Sequence, residues 1–341
     1  MTTHHAPAIE SEFARPPAPL WQKAIGKVII RQAFWVTIAL IIICLVLSFL
    51  VPQAGAFKSM ENLYNISRNF AFIGIMAMGM VTVIITGGID LSVGSLMGLV
   101  GVVCGLVLQA GYSWWIAVLA GLLTGFAAGA VNGILVAYVG LSAFVVTLGM
   151  LSFARSLAVV LSQNKMLYSF GPGGPIFKEI GGGAFLGLSN PIWVLVILAI
   201  ALGLVLKWTP WGRHLYAIGG NEQAARLTGV PVDSVKMQAY ITSGLTAAIA
   251  SILIVGWQGS AINALGIGYE LRVIASTVIG GTNLMGGEGG TYGAFVGAAL
   301  LEVIRNGLLM AGIDSNWQGA FVGVFIVLAV LLEKFRGRKR A

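Results

Sequence analysis

The sequence predicts an all-α polytopic membrane protein of about ten transmembrane helices, with two pseudo-repeated halves and Gly-Gly-broken helices. Three observations carry that prediction. Hydrophobic residues make up 57% of the 341-residue chain and charged residues 9%, with a mean hydropathy of +0.91, whereas a soluble domain carries about 25% charged residues. Apolar stretches near the ~20 residues that a helix needs to cross a bilayer recur along nearly the whole length. A short phrase also occurs twice, 193 positions apart, as Gly87-Gly88-Ile89-Asp90-Leu91 and Gly280-Gly281-Thr282-Asn283-Leu284.

Taken in order, residues 1–33 read as a largely disordered N-terminal arm, with Pro7, Pro16, Pro17 and Pro19 among mixed polar residues. The membrane domain covers 34–333. Its spans are predicted at 34–51, 70–86, 91–110, 114–139, 141–162, 191–208, 237–258, 270–281, 289–310 and 317–332. Ala54-Gly55-Ala56 imitates a signal-peptidase site, but an n-region of residues 1–33 is too long for one, so the first helix is expected to stay uncleaved. Cys44 and Cys104 fall inside spans, where neither a disulfide nor a metal site is expected. Gly121, Gly125, Gly129 and Gly133 recur every four residues and mark a close helix–helix face. Glu302 and Arg305, three apart on one helix, are expected to neutralise each other. Arg155 and Arg272 are placed near interfaces. Residues 334–341 form a basic tail.

The net charge of +8 reads as topology. Lys23, Lys27 and Arg31 precede the first span, Lys207, Arg213, Arg226 and Lys236 surround the 209–235 segment, and Lys334, Arg336, Arg338, Lys339 and Arg340 close the chain. With ten spans these regions share one side, which the positive-inside rule makes cytoplasmic. The opposite loops hold only Lys58, Arg68, Lys165 and Lys178.

A Gly-Gly step breaks a helix, and Asp or Asn after it can cap the next one. Broken helices at corresponding places in two halves mark transport machinery. Gly87, Gly88, Asp90, Gly280, Gly281 and Asn283 are therefore the candidate gate elements, with Asp90 either an N-cap or part of a moving half-helix. Ten full crossings put both motifs on the cytoplasmic side, which no simple inverted repeat allows. Either a re-entrant segment hides in the span count or the motifs match only locally. A neutral polar solute needs a wet, weakly binding path, for which Asn69, Thr86, Asn132, Phe144, Thr147 and Thr282 are candidates. Phe70 and Phe72 are read as packing groups or gate residues.

The segment 209–235 is the longest polar stretch between spans. Asn221 suits an N-cap, Glu222 suits the positive helix start, and Gly229 with Pro231 stops the helix. A two-turn, Ala-rich helix outside the bilayer is a docking element for a cytoplasmic partner. Its candidate residues are Arg213, Gly219, Asn221, Glu222, Ala224, Ala225, Arg226 and Gly229.

Three motifs in order resemble the permease subunit of the ribose/xylose-type (carbohydrate uptake) ABC importers. They are Gly87-Gly88-Ile89-Asp90-Leu91-Ser92-Val93-Gly94-Ser95, the Gly219-Gly220-Asn221…Thr228-Gly229-Val230 loop, and Val278-Ile279-Gly280-Gly281-Thr282 through Gly293-Ala294. The resemblance covers roughly residues 60–335. Two departures stand out: Ser142-Ala143 where relatives often place proline, and Asn283 where the first motif has Asp90. The resemblance implies a second permease subunit (self or paralogue), a cytoplasmic ABC ATPase docked on the 213–230 loop, and a periplasmic sugar-binding protein. It also implies the inner membrane of a bacterium.

The chain has no Gly-x-x-x-x-Gly-Lys-[Ser/Thr] loop, since its one Gly-Lys step, Gly26-Lys27, is followed by Val28. ATP and Mg are thus expected on the partner ATPase. No catalytic set, metal site or cofactor site is expected in this chain. The function read is import of a monosaccharide or polyol (ribose, xylose or inositol class). The alternatives are an ABC permease for branched-chain amino acids or nucleosides, and an ion-coupled secondary transporter.

Overall fold

A computed structural model describes residues 32–50, 54–314, 317, 319, 320, 323 and 324. The membrane helices are α1 (Gln32–Leu50), α3 (Met60–Ile85), α4 (Val93–Gln109), α5 (Trp114–Ala137), α6 (Ala143–Ser162), α8 (Asn190–Trp208), α11 (Val232–Gln258), α12 (Tyr269–Ile279) and α13 (Thr291–Met310). The short helices are α2 (Ala54–Phe57), α7 (Gly174–Gly182), α9 (Pro210–Gly220) and α10 (Glu222–Leu227). A two-residue hairpin pairs β1 (Ala184–Phe185) with β2 (Leu188–Ser189). Positive φ at Leu186 and Gly187 gives its turn the twist that suits paired strands.

Among the described residues seven helices are long and apolar enough to cross a membrane: α1, α3, α5, α6, α8, α11 and α13. The 17-residue α4 is a shorter apolar helix. Two predicted spans change. The 270–281 span is the 11-residue α12, which reaches only ~16 Å of a ~30 Å hydrocarbon core. The 317–332 span, the N-terminal arm up to residue 31 and the basic tail lie almost wholly outside the described residues. The second span starts ten residues early, at Met60 rather than 70, because Ser59 caps it by accepting from the Asn62 amide. Polar Glu61, Asn62, Asn65 and Arg68 mask this first part of the helix. Asn62 and Asn306 exchange side-chain hydrogen bonds at 3.1 and 2.8 Å, which satisfies their amides between α3 and α13.

The central helices α3 and α11 are mostly buried, as is α13, while α1, α5, α6 and α8 present most of their surface outward. α3 packs on α11, α13, α8 and α12, and α11 packs most extensively on α5. The four-residue glycine period of α5 explains that contact. Side chains at Gly125, Gly129 and Gly133 would collide with the α11 backbone at Gly244, Tyr240 and Met237. Phe70 stacks edge-on with Phe295 and Phe72 lies against Trp257, both in the core rather than at a gate. The Glu302–Arg305 pair forms as expected, with Arg305 Nε donating to Glu302 Oε2 at 2.7 Å.

The chain that leads into α12 is not helical but a run of turns over 263–268. After Gly259 the chain pairs Ala261 with Leu167 through two backbone hydrogen bonds of 2.7 and 2.9 Å. It then runs along a glycine track on α4. Side chains at Gly94, Gly98 and Gly105 would meet Gly266, Asn263 and Ala261 in turn. Unpaired carbonyls are tolerated at membrane depth only when the protein satisfies them. Arg155 of α6 does so, with Nη1 donating to the carbonyls of Asn263 (2.5 Å) and Leu265 (2.9 Å) and Nη2 to that of Gly94 (3.3 Å). Arg155 therefore reaches inward rather than marking an outer interface.

Candidate functional site

The 209–235 segment holds two helices, where the sequence reading expected one. α9 begins with Thr209 as N-cap, accepting from the Gly212 amide at 3.2 Å, and with Pro210 in its first turn. Its Gly212, Leu215 and Ile218 are buried in the protein. Asn221 then accepts from the Ala224 amide at 2.9 Å to start α10, and Gly229, at φ +84°, turns the chain away. Ion pairs fix α10 on the start of α11. Arg226 donates twice to Asp233, at 2.6 and 3.0 Å, and Lys236 donates to Glu222 at 3.0 Å. The bond from Asp233 raises the Arg226 guanidinium above its ordinary range.

Of the residues selected from the sequence, Arg213, Asn221, Ala224, Arg226 and Gly229 are exposed, while Glu222 is half-buried. Ala225 is buried, and Gly219 points inward. Leu227, missed in the sequence, is 88% exposed at the end of α10, a large apolar side chain left open among the described residues.

Both Gly-Gly motifs end a helix in the same way. At the first, Gly87 (φ +79°) follows α3 and the Gly88 amide reaches back to the Val83 carbonyl at 3.1 Å. At the second, Gly281 (φ +98°) follows α12 and the Thr282 amide reaches back to the Thr277 carbonyl at 3.1 Å. Only glycine takes such left-handed conformations without cost. The next turns also match, since Asp90 Oδ1 accepts from the Ser92 amide (2.9 Å) and Asn283 Oδ1 from the Met285 amide (2.8 Å). The N-cap position of α4 is Ser92 rather than Asp90, which stands two residues earlier and orders the turn before the helix. Gln32 of α1 donates to the Val278 and Ile279 carbonyls, closing the open end of α12.

Asp90 also accepts from the hydroxyls of Ser92 (2.6 Å) and Ser243 (2.7 Å), and Asn132 donates to Ser92 Oγ at 3.0 Å. Thr147 lies 3.3 Å from the Ile89 carbonyl. The structure thus gathers Asp90, Asn132 and Thr147 around the first break. Thr86 is buried and bonded to the Val83 carbonyl, and Thr282 is buried at the second break. Asn69 lies ~25 Å further along α3, and Phe144 is exposed on the outer face of α6.

Asp90→Asn is expected to keep both the turn and the fold, as Asn283 does at the second break. Asp90→Ala strands three buried donors at about 1–3 kcal/mol each, and its thermal unfolding midpoint in detergent is expected to fall well below that of Asp90→Asn. Equal midpoints would remove the capping role.

The chain matches the family described as branched-chain amino acid transport system / permease component over residues 62–330. It is 39% identical to the ribose import permease protein RbsC of Escherichia coli K12 over 297 residues, 87% of this chain and 92% of that one. The Bacillus subtilis ribose import permease is 34% identical, with 87% of this chain and 91% of that one covered. The autoinducer 2 import system permease LsrC of Photorhabdus laumondii is 39% identical over 78% of each chain. Among solved structures, an ABC transporter described as of the metal-chelate type, in an inward-facing conformation, shares the fold. It gives a TM-score of 0.51 at 17% identity, covering 89% of this chain and 98% of that one. A bundle of apolar helices broken at paired glycines, matched in sequence over most of its length, makes this multi-pass membrane protein a member of the branched-chain amino acid transport system / permease component family, alongside the ribose import permeases.

Proposed function

We propose that the chain is the membrane-spanning permease subunit of a binding-protein-dependent ABC importer that brings a monosaccharide or polyol of the ribose, xylose or inositol class into the cytoplasm. ATP hydrolysis in a separate subunit drives it, and ATP and Mg bind there. The observation that carries the reading is the end-to-end similarity to ribose import permeases together with α10, a capped, ion-paired helix that leaves Ala224 and Leu227 open to a partner. α10 is the element on which the ATPase docks.

The remaining partners are a second permease subunit, self or paralogue, and a periplasmic sugar-binding protein. The location is a bacterial inner membrane with both termini cytoplasmic, as the basic clusters favour. The polar candidates Thr86, Asn132, Thr147 and Thr282 are buried within one chain, so the solute path forms between two permease subunits. Ion coupling is disfavoured because the buried acids are engaged: Glu302 is paired with Arg305, and Asp90 is bonded by two serines.

The test is ATP hydrolysis in proteoliposomes holding the chain with its cognate ATPase. Binding protein loaded with D-ribose is expected to raise hydrolysis about tenfold over unloaded binding protein. Hydrolysis indifferent to loaded binding protein would contradict the reading. Stimulation by leucine-loaded rather than ribose-loaded binding protein would move the cargo to branched-chain amino acids.

A further inference from the structure

Three backbone segments far apart in sequence meet without side chains between them. The first is the end of α3 at Ile85–Gly87, the second is the end of α9 at Gly219–Gly220, and the third is the turn that directly follows the second broken motif, Met285–Gly287. The Gly287 amide donates to the Ile85 carbonyl at 2.9 Å. A Cβ on Gly219 would overlap both that same carbonyl oxygen and the Gly287 amide nitrogen. A Cβ on Gly286 would stand 3.0 Å from Gly219 Cα and 3.0 Å from the Gly87 nitrogen. One turn back along α9, the Tyr216 hydroxyl donates to the Gly289 carbonyl at 2.9 Å. Asn221, two residues beyond Gly219, is the N-cap of the docking helix.

Packed cores are bistable rather than continuously deformable, so a push at one rigid element is passed to whatever it touches directly. Side chains could absorb such a push by changing rotamer, whereas bare backbone in contact leaves no such slack. Here the docking helix is followed inward by a single bonded helix end, and that end touches both broken-helix motifs at once. Resting on the reading of α10 as the ATPase dock, we propose that this glycine junction carries the displacement of the docking helix to both breaks together. Gly219 is its central positioning residue. The ends of α3 and α12 then move as one, although 193 residues separate their motifs.

Neighbouring glycines give the test its control. Gly220 has no atom within 4 Å of an added Cβ, while Gly219 has none of that room. In proteoliposomes with ATPase and D-ribose-loaded binding protein, Gly219→Ala is expected to lower ribose imported per ATP hydrolysed about tenfold. It should keep co-purification with the ATPase, and Gly220→Ala should match the wild type. Tyr216→Phe, which removes one hydroxyl and no volume, should lower the same ratio about threefold at normal yield, and it decides the matter if Gly219→Ala does not fold. An unchanged ratio in Gly219→Ala, or in Tyr216→Phe where Gly219→Ala fails to fold, overturns the junction, as does an equal loss in Gly220→Ala. A wild-type chain that neither binds nor stimulates the ATPase instead overturns the functional reading on which the proposal rests.

Discussion

Arg155→Met is expected to lower the thermal unfolding midpoint in detergent by about 6–10 °C and to cut the yield of folded protein. Methionine keeps most of the length and apolar stem but removes every donor. The carbonyls of Asn263, Leu265 and Gly94 then lose the guanidinium that donates to them, at about 1–3 kcal/mol each. The loss is concentrated where it does most harm, because 261–266 is a non-helical stretch, mostly turns, lying beside α4 with no helical ladder of its own. Arg155→Lys is expected to fall between the two, since an ammonium brings donors without the planar fork that reaches three carbonyls. A Met variant as stable as the wild type would show that the 261–266 segment holds itself on the glycine track.

Ala224→Glu is expected to abolish stimulation of the ATPase by loaded binding protein while leaving the chain folded. Ala224 is exposed on α10, so the new carboxylate meets solvent in the isolated subunit. It meets the partner in the assembled transporter, where interface centres tolerate charge poorly. Ala225→Glu is expected to fail differently. Its side chain is buried, so a charge there unseats the helix and lowers yield. Reading hydrolysis and co-purification together separates the two. Wild-type stimulation in Ala224→Glu would move the docking surface away from α10.

Much of this was legible in the sequence because it is written locally. The cap at Asn221, the stop at Gly229, the glycine period of α5 and the Glu302–Arg305 spacing each involve residues within a few turns of one another. The two helix breaks were legible too, although Asp90 and Asn283 read as helix caps whereas each orders the turn that follows its break. α9 carried a local signal, Thr209-Pro210, which the glycines at 219 and 220 obscured. What the sequence could not show is pairing at long range. Nothing near Asp90 points to Ser243, 153 residues away, and nothing near Arg155 points to the carbonyls of 263 and 265. The half-length α12 was hidden for the same reason. Its apolar composition satisfies a span, and nothing local shows that the chain before it lies in turns along the glycine track of α4.

The most direct measurement is uptake of radiolabelled D-ribose into proteoliposomes carrying the chain, its ATPase and loaded binding protein, with ATP supplied on the cytoplasmic face. The account predicts uptake that requires ATP and Mg, stops when the ATPase is omitted, and ignores collapse of proton and sodium gradients. Uptake that persists without the ATPase and follows an ion gradient would contradict it.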